Sequence, residues 1–436
     1  MENTQKLIQR IVSKEASIAI IGLGYVGLPL AIRFADCGYT VNGIDTNEDK
    51  IAILKEGKST IKSIEDSYLQ NGLEENLSIS SDFSIIGKSD AIIICVPTPL
   101  GIHKEPDLSH VKNVLLEIKP YLKHSQILSL ESTTYPGTTS EIILPIFDEL
   151  NLNVGIDFYI VHSPEREDPG NKTFDLKSIP KIVGGHTAEC LKVGKHLYQQ
   201  VVESVIEVSS TEAAEMTKLL ENIYRSVNIG LVNELKIVAS AMNIDIYEVI
   251  DAAATKPFGY TPFYPGPGLG GHCIPIDPFY LSWKAKEFGV NTKFIELAGE
   301  VNSNMPNWVS DQIGLALNSA SKSVSNSKIL ILGVAYKKNI DDLRESPALV
   351  IIENLYKLGA DIDFCDPYVK NIACNFIESE KLFSLDFNQI SFDAYDLVVL
   401  LTDHDDFDYD EIEKKSHMIL DTRGVYRYSK NKVFRA

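Results

Sequence analysis

The stretch Ser17-Ile18-Ala19-Ile20-Ile21-Gly22-Leu23-Gly24-Tyr25-Val26-Gly27 decides the fold, together with the residues after it as far as Asp45. An apolar run of strand length leads into three glycines in G-x-G-x-x-G spacing. Leu28 to Cys37 then shows helical apolar spacing, and Thr40-Val41-Asn42-Gly43-Ile44 reads as a second strand. Each glycine has its own task. The first lets the strand turn sharply, the second lets backbone approach a pyrophosphate, and the third lets the helix pack against the strand. The helix N-terminus adds free N–H groups and a positive dipole end. Such glycines would also suit a tight turn in a flavodoxin-like sheet. Asp45 argues for the dinucleotide, since it lies 18 residues beyond Gly27, near the spacing of a ribose 2′-OH acceptor. A carboxylate there repels a 2′-phosphate, so the expected cofactor is NAD, not NADP.

Working outward, strand signals recur at Ala91–Val96, Ile127–Leu130 and Phe158–Val161, separated by helical stretches. Alternating strands and helices imply an α/β fold with a parallel, doubly wound sheet. Ser210 to Met242 reads as one long helix, and Lys256–Gly271 as a loop dense in Pro and Gly. Helices are expected over Phe279–Phe288 and Val301–Ser319, then a polar linker at Ser321–Asn326. Beyond it, the strand Lys328–Leu332, a turn at Gly333, a helix over Ala348–Leu358 and the strand Asp361–Cys365 repeat the βαβ pattern. The expected architecture is two Rossmann-like doubly wound domains joined by a long central helix. Its parts are an NAD-binding domain over 1–209, a central helical region over 210–320 and a C-terminal α/β domain over 321–436.

Composition narrows the class. A chain of 436 residues is long enough for two or three domains. Its net charge of −19 repels phosphate backbones and anionic lipids, so neither nucleic acid nor membrane is an expected partner. No stretch approaches the roughly 20 apolar residues of a membrane span, and the N-terminal residues lack the pattern of a signal peptide. The six cysteines show no CxxC spacing, which argues against a disulfide framework and a structural zinc site. A soluble, cytoplasmic protein without a metal site is expected.

Two further segments carry chemistry. In Pro265-Gly266-Pro267-Gly268-Leu269-Gly270-Gly271-His272-Cys273-Ile274-Pro275-Ile276-Asp277-Pro278, four glycines precede Cys273. Glycines bring backbone amides close to a ligand and leave the thiol reachable, unlike Cys37, Cys95 and Cys190, which read as small buried hydrophobes. A thiolate beside a nicotinamide implies oxidation through a thiohemiacetal and a thioester. His272 is poorly spaced for zinc and reads as shaping the loop or touching substrate. On the long helix, Lys218 and Asn222 are i, i+4 and share a face. Met216, Leu219, Leu220, Ile223, Val227 and Leu231 are expected to bury much of that helix, leaving Lys218 and Asn222 at a buried edge. There they could bind a developing oxyanion; the alternative is a solvated face.

With Cys273 and the Lys218–Asn222 pair added to the glycine turn, the chain resembles the UDP-sugar 6-dehydrogenases, the UDP-glucose/UDP-N-acetylhexosamine dehydrogenase family. The likeness runs from Gly22-Leu23-Gly24-Tyr25-Val26-Gly27-Leu28-Pro29 through Val96-Pro97-Thr98-Pro99, Ser132-Thr133-Thr134-Tyr135-Pro136-Gly137 and Ser163-Pro164-Glu165-Arg166. It continues to Gly271-His272-Cys273, Tyr336-Lys337-Lys338 and Leu343-Arg344-Glu345-Ser346-Pro347. The resemblance implies a four-electron oxidation of a sugar C6 hydroxyl to a carboxylate with two NAD⁺. It assigns Lys218 and Asn222 to the oxyanions and a water, Cys273 to the aldehyde, and Asp277 to hydrolysis. Glu165 and Thr133 are assigned to acid–base help and water positioning.

The same resemblance places Gly22, Gly24, Tyr25, Val26, Gly27, Asp45, Thr98, Thr133 and Arg344 at the cofactor. It places Glu165, Arg166, Lys218, Asn222, Tyr264, Gly266, Gly268, Gly270, Tyr336, Lys337 and Arg423 at the UDP-sugar. Without it, Lys337-Lys338 would read as a solvated pair and Arg344 as a surface salt bridge to Asp341 or Asp342. Cys273-Ile274-Pro275-Ile276-Asp277-Pro278 and Lys256–Tyr264 look most like the bacterial UDP-N-acetyl-D-glucosamine 6-dehydrogenases of surface-polysaccharide pathways. UDP-N-acetylmannosamine and UDP-N-acetylgalactosamine are the alternatives. Many relatives carry an Arg upstream of this loop that reaches a neighbouring subunit's substrate; here only Lys256 is present. The resemblance also implies a homodimer built on the central helix. Outside this family, a two-electron dehydrogenase of the hydroxyacid type would need no Cys, and an NAD-sensing scaffold would produce no NADH.

Overall fold

The structure is a computed structural model that describes residues 2–61, 64–101, 103–166, 176–271, 274–373, 381–429 and 432–436. The chain divides into two compact units, Met1–Glu221 with Phe279–Val290, and Asn222–Pro278 with Asn291–Ala436. The division falls inside the helix Thr211–Ala241, which matches the long helix expected at Ser210–Met242.

In the first unit, eight strands form one sheet: β1 (Ser17–Ile21), β2 (Thr40–Ile44), β3 (Leu77–Ser80), β4 (Ala91–Ile94), β5 (Gln126–Leu130), β6 (Phe158–His162), β7 (Lys181–Gly185) and β8 (Val205–Val208). Their order is β3-β2-β1-β4-β5-β6-β7-β8. β1 and β4 to β6 read as apolar runs because both faces are buried, Ile18, Ile20, Ile93 and Val161 packing into one core and Ala19, Ile92, Leu128 and Ile160 into another. All neighbours are parallel except β6 and β7, where Val161 faces Gly185 and His162 faces Gly184 in antiparallel register. The doubly wound reading holds for the Rossmann half, and the sheet reverses only at β7. The order changes direction between β1 and β4, the switch point at whose carboxyl ends such sheets bind ligands.

The second unit holds a parallel five-stranded sheet made of β9 (Lys328–Leu332), β10 (Asp361–Cys365), β13 (Leu397–Leu400), β14 (Ile419–Asp421) and β15 (Val433–Arg435). Its order is β10-β9-β13-β14-β15. A separate antiparallel pair, β11 (Asn371–Ala373) with β12 (Lys381–Phe383), lies between β10 and β13 in sequence. The repeated βαβ unit stands as expected, with its helix at Pro347–Lys357.

Other elements shift. The helix expected over Leu28–Cys37 spans Gly27–Asp36, and the one expected from Val301 begins at Lys293. The stripe expected to bury the long helix is only half buried. Leu219 and Ile223 are buried, but Met216, Leu220 and Leu231 are exposed, in one row with Tyr224, Leu235, Val238 and Met242. Lys218 and Asn222 are nonetheless buried, because they lie on the packed face with Leu219 and Ile223 rather than beside a fully covered stripe. Among the described residues, no helix is long and apolar enough to cross a membrane.

Candidate active site

Three glycines behave differently in the turn after β1. Gly22 has φ +93°, and a Cβ there would meet the Cys95 carbonyl oxygen at 2.8 Å. At Gly27 a Cβ would stand 1.9 Å from the Gly22 oxygen, so only glycine lets the helix start this close to the strand. Around Gly24 no atom lies within 4 Å of such a Cβ. The turn therefore closes on itself at its two ends and is open in the middle, which is the geometry a pyrophosphate needs. Asp45 closes the unit: its carboxylate accepts from the amides of Leu23 (2.9 Å) and Asn47 (3.0 Å) and pairs with Lys50 at 2.8 Å. Burial works against the charge, but Lys50 and the two amides hold the carboxyl below its usual range. Asp45 thus has a structural task beyond the expected one, fixing the glycine turn before a nucleotide arrives. Tyr25 is exposed at its outer side.

Loops after β4 and β5 meet at the same sheet end. The Thr98 hydroxyl donates to the Thr133 carbonyl at 2.8 Å, and Ser132 donates to Val96 O at 2.7 Å. The Tyr280 hydroxyl donates to the Thr98 carbonyl at 3.0 Å, anchoring this loop from the distant helix Asp277–Glu287. Val26 of the glycine turn shares a small cavity with Glu165, Arg166, Glu131 and Lys181. At about 20 Å³ it has room for one water. Arg166 is fixed by the Pro180 carbonyl (2.6 Å) and by Glu221 (2.6 Å). Behind it stands a buried group not anticipated from sequence: Glu131 bonds Lys181 and accepts from the Tyr198 hydroxyl at 2.6 Å. Burial pushes Glu131 up, against the pull of Lys181.

The long helix carries two polar pairs one turn apart. In the first unit, Lys218 Nζ stands 3.4 Å from Glu165 Oε2, with Lys218 only 4% exposed. In the second, Asn222, which is fully buried, donates from Nδ2 to Asp277 Oδ2, and Asp277 is 3% exposed. Arg225 donates to Asn222 Oδ1 and so fixes which end of the amide faces Asp277. Its i, i+3 spacing from Asn222 was the sequence signal for that role. The amide keeps a second N–H, for which the described residues supply no acceptor. His272 and Cys273 lie outside the described residues, so the assigned thiol is known here by sequence only.

One turn before Lys218, the buried Glu215 accepts from the Gly137 amide (2.7 Å), the Thr139 amide (3.0 Å) and the Thr139 hydroxyl (2.8 Å). It ties the Thr133–Thr139 segment to the helix. Burial pushes its carboxyl up to about 7, against those donors. The folded chain therefore binds this proton more tightly than the unfolded one, and stability falls as pH rises from 4.5 towards 7. Glu215→Gln is expected to flatten that fall by ~3 kcal/mol. Denaturation curves at either edge of the window test it, and equal pH slopes for both proteins would refute the assignment.

In the second unit, three of the expected substrate residues, Arg423, Tyr336 and Tyr264, lie at the glycine loop. A Cβ at Gly266 would lie 2.8 Å from an Arg423 nitrogen, and one at Gly270 would lie 2.5 Å from Tyr336 Cβ. Gly268 packs equally closely on Pro347. Arg423 donates to Leu401 O at 2.6 Å, and the Tyr247 hydroxyl joins Pro265 O (3.1 Å) to Thr422 O (2.8 Å). Tyr264 sits at the rim, bonded to Asp251 at 2.7 Å. Near Lys337, Asp366 repeats the device of Asp45: its carboxylate accepts from Val334 N (2.7 Å) after Gly333, and from His404 Nε2 at 3.1 Å. His404 Nδ1 in turn accepts from Asn339 N at 2.9 Å, fixing the loop that carries Tyr336 and Lys337. Arg344 forks onto Asp342 (2.6 and 3.0 Å), the contact that an ordinary surface reading expected.

Comparison with known proteins matches this division of labour. Residues 16–202 match the NAD binding domain, 212–304 the central domain and 330–428 the UDP binding domain of the UDP-glucose/GDP-mannose dehydrogenases. The chain belongs to the UDP-glucose/GDP-mannose dehydrogenase family. It is an NAD-dependent oxidoreductase of nucleotide sugars, with a substrate that carries UDP. The UDP-N-acetyl-D-glucosamine 6-dehydrogenase of Salmonella typhi is 34% identical over 420 residues, 94% of this chain and 96% of that one. A UDP-N-acetyl-D-mannosamine dehydrogenase of Methanococcus maripaludis is 34% identical over 94% of this chain and 93% of its own length. The structure of the UDP-D-ManNAc dehydrogenase from Pyrococcus horikoshii superposes with a TM-score of 0.87 at 32% identity, covering 96% of this chain and 98% of that one. In this family's terms, the glycine turn belongs to the NAD binding domain, and Tyr336, Lys337 and Arg423 to the UDP binding domain.

Proposed function

We propose that this dehydrogenase oxidises the C6 hydroxyl of UDP-N-acetyl-D-glucosamine to the uronic acid in bacterial surface-polysaccharide synthesis, through a thioester on Cys273. The observation that carries the reading is the pair of buried contacts on one helix, Lys218 with Glu165 and Asn222 with Asp277. Asp277 follows Cys273 by four residues. NAD, when bound, accepts a hydride at each oxidation; Gly22, Gly24, Val26, Gly27 and Asp45 hold it, with Tyr25, Thr98 and Thr133 alongside. The open middle of the turn at Gly24 is the fit that supports this.

Lys218 and the spare N–H of Asn222 hold the C6 oxygen as its charge develops. After the first hydride leaves, the Cys273 sulfur adds to the aldehyde carbon, and loss of the second hydride from that adduct leaves a thioester. Water, positioned by Thr133 and deprotonated with the help of Asp277 or Glu165, adds to the thioester and releases the acid and the thiol. Each sugar thus gives up two hydrides and takes in one water. Arg166, Tyr264, Gly266, Gly268, Gly270, Tyr336, Lys337 and Arg423 bind the UDP-sugar, their cations offsetting the acidic net charge. The domains divide as 1–209 for NAD, 210–320 for catalysis and pairing, and 321–436 for UDP. The exposed row from Met216 to Met242 is taken by a second copy of the chain, making a homodimer in the cytoplasm.

The gluco substrate rests on the likeness of Lys256–Tyr264; the superposition on the archaeal mannosamine enzyme favours a second reading, the C2 epimer. NADH released per sugar, with the UDP-linked N-acetylglucosamine, N-acetylmannosamine and N-acetylgalactosamine as substrates, tests both. A ratio of two is expected with the gluco sugar turned over fastest. A ratio of one removes the thioester, and preference for an epimer replaces the substrate.

A further inference from the structure

We infer that a cavity in the second unit that holds the buried Lys236, lined by none of the residues assigned above to cofactor or substrate, binds a small organic anion with an aromatic or apolar body. The cavity measures about 330 Å³ and is lined by Lys236, Asn243, Tyr247, Trp308, Phe434 and Arg435 among others. That is the lower end of small-molecule sites, suited to a single ring bearing one acidic group rather than to a nucleotide sugar. Its walls carry Trp308, Tyr247 and Phe434 as apolar surface, and Lys236, Arg435 and Asp245 as charges.

Lys236 is the reason to expect an anion. It projects from the long helix, is 4% exposed, donates to the Thr422 carbonyl at 3.0 Å and lies 5.8 Å from the Trp308 ring centre. Among the described residues no carboxylate forms an ion pair with it. Asp421, the acid whose field reaches it, is already held by the amides of Arg423 (2.8 Å), Gly424 (2.9 Å) and Tyr426 (2.7 Å). Asp245, also on the lining, caps the helix Ile246–Ala254 and pairs with Arg435 at 3.2 Å. Both acids are therefore committed elsewhere, and neither is an ion-pair partner of Lys236. A buried ammonium without a counter-charge is costly, and a ligand that supplies one gains that difference.

Burial, with Arg423 nearby and only Asp421 opposing, pushes the Lys236 ammonium down to about 7. The other charged or titratable groups facing this corner are Asp245, Arg435, Tyr247 and the carboxylate of Ala436. An arriving anion restores the proton on Lys236, so binding takes up a proton and weakens as pH rises past neutrality.

Benzenesulfonate is a suitable probe because it stays ionised throughout, leaving the protein as the only titrating partner. Calorimetric titration of the full chain, with excess UDP to close the nucleotide site, is expected to show saturable millimolar binding with proton uptake. Lys236→Met, which keeps the stem and drops the charge, is expected to weaken binding at least tenfold and abolish the uptake. Absence of saturable binding to the wild type, or equal binding by the variant, overturns the inference. Should the variant fail to fold, wild-type binding without proton uptake overturns it as well.

Discussion

Cys273→Ser is expected to abolish formation of the uronic acid, lowering turnover by roughly 10³-fold or more, as loss of a nucleophile does in acyl-transfer enzymes. A serine hydroxyl is far less nucleophilic than a thiolate at neutral pH, and an ester on that serine would yield to water more slowly than a thioester. The first oxidation does not require the sulfur, so NADH in the variant should not exceed one equivalent per sugar. Rapid-quench product analysis separates the cases. A variant that still makes acid at near wild-type rate would place this chain among two-electron dehydrogenases, with Lys218 and Asn222 serving an alcohol alone.

Glycine substitutions in the first turn should separate folding from cofactor binding. Gly27→Ala puts a methyl 1.9 Å from a backbone oxygen that cannot move without displacing β1. It is expected to destabilise the first unit by ~3 kcal/mol or more. Gly24→Ala meets no protein atom within 4 Å, so stability should change by less than ~0.5 kcal/mol. Its methyl instead fills the space left for the pyrophosphate, and NAD should bind roughly tenfold more weakly or worse. Thermal denaturation and NAD titration of both variants give a two-by-two result. Undiminished NAD affinity in Gly24→Ala would mean that the dinucleotide does not cross the turn there.

What could be read from the sequence followed the strength of the local signal. β1, the glycine turn, β2 and the long helix were legible because an apolar run, fixed glycine spacing and a helical period coincide. The C-terminal βαβ unit was legible for the same reasons. β3, Leu77-Ser78-Ile79-Ser80, was missed because four residues are too few for its apolar–polar alternation to stand out from a loop. β7 and β8 were missed likewise, and the antiparallel turn at β7 depends on pairing that no local pattern encodes. Pattern also could not separate Leu219 from Leu220: both are apolar, yet one packs inward and the other lies exposed. At the site, residue types were readable and partners were not. Glu131, Glu215 and Lys236 are charged residues that default to the surface on composition, and only the fold reveals that each is buried.

The two aspartates that clamp the turns, Asp45 on Leu23 and Asp366 on Val334, imply a history as well as a geometry. In the first turn the helix begins at Gly27 and the backbone is left bare. In the second, the helix waits until Pro347, and the intervening loop carries Tyr336, Lys337 and Arg344. One scaffold thus occurs twice in the same polypeptide, and on the proposed function the first turn meets NAD by main chain while the second meets UDP through inserted side chains such as Tyr336 and Lys337. Drift in that insert can alter which sugar nucleotide is accepted while the scaffold beneath it, and the redox partner of the other turn, stay as they are.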